Sequence, residues 1–132
     1  MRRLQRLLTA LLLLAPLISG CGAGQQQAQS QTVTQHHLGF KLQESWTSQA
    51  LESKPLTITL RISPSTKEVT PLAGRTAMST MNMTPVKIDW HKTPDSEYEG
   101  RFTPSMAGSW RVNIPFQNGV QTWQESFVIN VR

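Results

Sequence analysis

Leu56-Thr57-Ile58-Thr59-Leu60-Arg61-Ile62-Ser63 alternates without interruption, with Leu56, Ile58, Leu60 and Ile62 on one side and Thr57, Thr59, Arg61 and Ser63 on the other. Side chains of an extended chain point to opposite faces in turn, so a period of two describes a strand with one buried and one wet face. Outward from this run the pattern repeats. Leu38, Phe40, Leu42 and, past Glu44, Trp46 share one parity. Val86, Ile88 and Trp90 share another, as do Tyr98 and Phe102. Trp110, Val112, Ile114 and Phe116 alternate with Arg111 and Asn113, and the last run holds Trp123, Phe127, Ile129 and Val131.

Breakers separate these runs: Ser63-Pro64-Ser65, Thr70-Pro71, Ala73-Gly74, Thr93-Pro94-Asp95, Thr103-Pro104 and Asn118-Gly119. Asn118-Gly119 reads as a hairpin turn, because both residue types tolerate positive φ. No window after the first twenty residues carries a helical period. The pattern predicts an all-β domain over residues 37–132, a two-sheet antiparallel sandwich of about seven strands. Its core is expected to include Trp90 and the other tryptophans.

The chain has 132 residues, room for one compact domain, which excludes multi-domain enzymes and coiled coils. Lys and Arg number 13 against 8 Asp and Glu, a net charge of +5. Arg2, Arg3 and Arg6 account for much of that excess; without them 10 basic residues face 8 acidic ones, a net +2. That is an ordinary surface charge and gives no support to nucleic-acid binding.

Those three arginines precede an apolar stretch from Leu7 to Ile18, broken only by Thr9 and Pro16. It is shorter than the roughly 20 residues needed to span a hydrocarbon core, and reads as an export signal over residues 1–20. The signal ends in Leu17-Ile18-Ser19-Gly20-Cys21, which looks like a lipobox, so Cys21 is expected to become the lipid-modified first residue of the mature protein. A simple cleaved signal and an uncleaved anchor are the alternatives. Cys21 is the sole cysteine, so no intrachain disulfide can form. Residues 21–36, rich in Gln, Ser and Thr, read as a tether to the membrane. In a Gram-negative host, Gly22 rather than Asp after the cysteine gives no signal for inner-membrane retention, which leaves the periplasmic face of the outer membrane as the default.

No nucleophile elbow, Walker loop, dinucleotide-binding glycine pattern or zincin helix occurs. Glu97 and Glu99, near Asp95, form a carboxylate pair that reads as a solvated strand edge, and His91 falls on a solvent-facing parity. The chain is not expected to be an enzyme.

The unusual constellation is sulfur. Met78-Ser79-Thr80-Met81-Asn82-Met83 places three methionines within six residues of polar sequence, and Met106 is the fourth after the initiator. Thioethers are soft, neutral donors suited to Cu(I), with no proton to compete for and no thiol to oxidise. In a regular strand Met81 and Met83 would face away from Met78, so a shared site over these sulfurs requires a bend. The bland reading is that methionine, an adaptable filler, caps one end of the sandwich.

The methionine segment, followed by a strand, Tyr98-Glu99-Gly100-Arg101-Phe102 and Met106-Ala107-Gly108-Ser109-Trp110-Arg111-Val112, resembles the YtkA-like family. These are small exported immunoglobulin-like β-sandwich domains, often lipoproteins, similar in shape to FixH and CopC-type periplasmic proteins. The resemblance covers residues 38–131 and is closest from Met78 to Val112. It implies copper handling, with Cu(I) held by Met78, Met81, Met83 and Met106 and exchanged with copper-handling envelope proteins. Ser79 and Thr80 stand where the family's loop often has Pro or Gly. The competing expectation is a metal-free sandwich that docks to another envelope protein.

Overall fold

The computed structural model describes residues 29–132 apart from 48 and 66–68. The expected signal peptide, the lipidation site Cys21 and the first part of the tether lie outside the described residues. Ten strands follow one another: β1 (Ser30–His37), β2 (Phe40–Thr47), β3 (Leu56–Ser63), β4 (Thr70–Pro71), β5 (Gly74–Met78), β6 (Val86–Ile88), β7 (Trp90–Lys92), β8 (Glu97–Phe102), β9 (Gly108–Asn118) and β10 (Gln121–Val131). One sheet has the order β1-β2-β3-β8-β7 and the other β10-β9-β5-β6, with the short β4 also paired to β9. Every pairing is antiparallel. The chain is an all-β sandwich.

The inward parity of each long run is the core. Leu56, Ile58, Leu60 and Ile62 from β3 meet Trp110, Val112, Ile114 and Phe116 from β9, and all eight are buried. Aromatic contacts join the sheets: Phe102 lies against Trp110 at 5.8 Å between ring centroids, Trp46 stacks on Phe127 at 5.1 Å, and Phe40 on Trp123 at 6.4 Å. Each buried side chain of this size contributes about 1.5–3 kcal/mol, and the ladders satisfy the backbone groups that burial would otherwise strand.

Several local expectations change. Residues 30–36, assigned to the tether, form most of β1, because Val33, Gln35 and His37 alternate inward while the backbone pairs with β2 along its whole length. Leu38 shares no face with Phe40; it sits in the β1–β2 turn at φ +49° and is 57% exposed. The two residues at the tip of the β9–β10 hairpin are Gly119 and Val120, since Asn118 pairs with Gln121. Gly119, at φ +60°, takes the first central position, as a type II′ turn demands.

The larger change concerns Val86-Lys87-Ile88-Asp89-Trp90. It is not one strand: the chain leaves the second sheet after β6 and enters the first as β7, crossing at Asp89. Trp90 is therefore half-buried at a sheet edge rather than in the core. Its ring is accommodated by Gly100 on β8, where a methyl group would lie 2.6 Å from Ile88 Cγ2 and 2.8 Å from Trp90 Cζ3. β8 is accordingly an interior strand, and Glu97 and Glu99 are half-buried on its outer face rather than at an edge; Glu97 pairs with Arg61.

Three outcomes test this packing. Ile58→Asp or Val112→Asp places an unpaired carboxylate between the sheets and should cost about 4 kcal/mol or more, enough to abolish a thermal transition followed by circular dichroism. Thr57→Asp, facing Arg101 across the β3–β8 pair, should leave the transition within a few degrees of the parent. Gly100→Ala should cost about 1–3 kcal/mol, because Ile88 and Trp90 must move to admit the methyl group.

Candidate functional site at the methionine end of the sandwich

Three segments meet at one end of the sandwich. β5 ends at Met78, which pairs with Trp110 near the start of β9. Ser79 and Thr80 then turn the chain, Met81 lies in a bend, and the chain returns through Met83 toward β6. The turn is pinned to β9: both the backbone N–H and the hydroxyl of Ser79 donate to the Ser109 carbonyl, each at 3.0 Å.

The return brings sulfur back onto the strand end. The Met78 N–H donates to Met83 Sδ at 3.4 Å, and both side chains are partly buried against the core. The bend that a shared sulfur site requires is therefore present. Met81 and Met106 are the outer members, 48% and 39% exposed.

The Met106 turn forms the facing wall. Trp110 Nε1 donates to the Met106 carbonyl at 3.0 Å, and Glu52 Oε2 accepts from the Ala107 N–H at 3.3 Å. Gly108 has φ +133°, a region that disfavours other residues. A methyl group at Gly108 would lie 2.6 Å from Met78 Cε, so its bare backbone is the floor on which the Met78 thioether rests. The structure thus joins Met78 to Met83 and seats Met78 on the Met106 turn, leaving Met81 and Met106 at the surface. Trp90 lies away from this end, at the β6–β7 crossing, and packs on Gly100. His91 is exposed, as its parity predicts.

Among the described residues, no group of three or more His, Cys, Asp or Glu side chains is disposed to hold a metal ion. The sulfurs gathered at this end are thioethers, donors that select soft monovalent ions.

One constellation escaped the sequence reading. Glu44 lies on the inward parity of β2, between Leu42 and Trp46, and is fully buried. Neither carboxyl oxygen has a hydrogen-bond partner. Burial pushes its pKa from 4.5 up to about 7; its own backbone N–H offsets part of that rise, and the nearby Glu125 carboxylate adds to it. The signal was visible as a glutamate on an otherwise apolar parity.

No family model matches the sequence, and comparison with curated proteins finds no match.

The buried carboxyl makes stability depend on pH. The folded chain binds this proton more tightly than the unfolded chain does, so its contribution is complete below 4.5 and is lost as pH rises through about 7. The loss is about 3 kcal/mol by linkage. Urea unfolding across this range should show the decline in the parent and a flatter profile in Glu44→Gln.

Proposed function

We propose that this chain is a YtkA-like envelope lipoprotein that carries Cu(I), as a chaperone, buffer or resistance component. Its anchor is the lipid on Cys21, and its partners are copper-handling proteins of the same envelope. It is not an enzyme. The ligands are Met78, Met81 and Met83, with Met106 as the fourth sulfur.

The observation that carries the reading is the return of Met83 Sδ onto the Met78 backbone, beside the glycine of the Met106 turn. The inner pair is held in place by packing, and the outer pair is open to an incoming ion or partner. A site with two fixed and two accessible thioethers suits cargo that must be passed on. The inner sulfurs pre-organise the binding geometry, while the outer ones can be exchanged one at a time for a partner's ligands.

The exposed thioethers of Met81 and Met106 also favour a second reading, in which this end is an adaptable apolar contact for another envelope protein without metal. Titration with Cu(I) against a chromogenic chelator separates the two. The parent should compete at one equivalent. The triple variant Met78→Leu, Met81→Leu, Met83→Leu should remain folded and lose at least about 100-fold in affinity, because leucine keeps the volume and removes the soft donors. Met106→Leu alone should lose less. A triple variant that holds Cu(I) as tightly as the parent overturns the copper site and leaves the docking reading.

A further inference from the structure

A second device lies at the other side of the core and does not rest on the copper reading. β2 and β10 face each other across the sandwich, with Phe40 opposite Trp123 and Trp46 opposite Phe127. Between these brackets the inward residues are Leu42 and Glu44 on β2 and Glu125 on β10, and the Glu125 carboxylate lies close enough to act on Glu44. Two carboxyls thus face each other between the sheets, one fully buried with both oxygens unpartnered. Like charges in such a space cannot both persist without water.

The edge of this space is covered by β1. It is the outer strand of its sheet and is hydrogen-bonded along one side, to β2. It reaches the opposite sheet through side chains. Gln35 Nε2 donates to the Ser126 carbonyl at 3.0 Å, His37 Nδ1 lies 3.7 Å from Glu125 Oε1, and the His37 ring stacks on Trp123 at 4.6 Å.

The groups that face Glu44 can be taken strand by strand. Its own strand offers Leu42 and Trp46. β3 offers Ile58, Leu60 and Ile62, and β9 offers Val112, Ile114 and Phe116, all apolar. β10 offers Glu125, and β1 offers His37 beside it. Lys41 and Arg61 are exposed on the outer parity, where Arg61 is paired with Glu97. No cation from the interior neutralises Glu44 among the described residues. His37 and the two glutamates are not disposed to hold a metal ion, so the species that neutralises Glu44 is the proton.

We propose that β1 is a proton-operated strap: while Glu44 is protonated the strap closes the seam between the sheets, and when Glu44 ionises opposite Glu125 the strap lifts from β10 and admits water. Opening there is cheaper than opening at an interior strand such as β9. β1 has one ladder and a few side-chain ties, whereas β9 is hydrogen-bonded to β10 along its length and to β5 on its other side. The perturbed acidity of Glu44 places the transition near neutral pH, rising pH being the opening direction. This use of the strap rests on the proposed export: a domain outside the cytoplasm experiences external pH directly, so the strap would expose Phe40 and Trp123 in neutral to alkaline surroundings and cover them in acid.

Backbone amide exchange of the full chain in detergent, corrected for intrinsic rates, tests this between about pH 5 and about pH 8. The protection of β1 relative to β9 should fall at least about tenfold with rising pH in the parent. Glu44→Gln and Glu44→Leu should both hold that ratio flat, and the leucine variant serves if the buried amide prevents folding. Glu125→Gln should shrink the pH-dependent loss of β1 protection and end it at lower pH, because removing the facing charge lowers the Glu44 pKa in the closed domain and so the drive that ionisation puts into opening; a loss of undiminished size shows that Glu44 acts without its partner, and overturns the paired-charge strap. His37→Gln should keep the pH dependence. Equal loss of protection in β1 and β9, a pH dependence that survives Glu44→Leu, or one that disappears in His37→Gln each overturns the proposal.

Discussion

The indole of Trp110 is the point on which the methionine end depends. The ring is fully buried against Phe102 of the opposite sheet, and its N–H reaches out of the core to the Met106 carbonyl. One side chain thus joins the apolar centre to a surface turn. Its backbone partner across the β5–β9 ladder is Met78, so the strand end and the turn are set by the same residue. Gly108 completes the arrangement, because a backbone without Cβ allows Met78 to come down onto the turn. Sulfur placement at this end follows from ordinary core packing one or two residues away.

The two sides of the sandwich close by different means. On one side the chain itself crosses between sheets at Asp89, and the crossing packs on Gly100 through Ile88 and Trp90. That closure is covalent and apolar. On the other side β1 spans the gap through Gln35 and His37, over a carboxyl that burial holds near neutrality. A polar, titratable seam set against an apolar, covalent one makes the domain mechanically asymmetric. The tolerance of the fold for Glu44 reflects the surplus of aromatic burial around it, with Trp46, Phe127, Phe40 and Trp123 on either side.

Much of the fold was legible in particular residues. The strict alternation of Leu56 to Ser63 and of Trp110 to Phe116 identified both central strands and their inward faces, since a strand buried on one side leaves that pattern whatever its neighbours are. The candidate sulfurs were legible as residue types, and so was the need for a bend between Met78 and Met83, but not the surfaces on which their side chains rest. Trp90 was misplaced because parity assumes that a strand stays in one sheet, and the chain here changes sheets after Ile88. β1 was missed because its inward residues are Val33, Gln35 and His37, a seam too polar to stand out from a Gln-rich stretch.

What the sequence alone determined is therefore the all-β class, the inward faces of β2, β3, β9 and β10 and the polar turns between strands. These depend on local alternation and on the φ preferences of Gly, Pro and Asn, which every short window carries. What only the tertiary structure decided is which strands face each other. That choice sets Gly108 beneath the Met78 thioether and brings Glu44 and Glu125 into one interior beside His37. The physical reason is that these contacts join residues from different strands and turns, and their positions are set by inter-sheet packing and ladder register, which no single window of sequence contains.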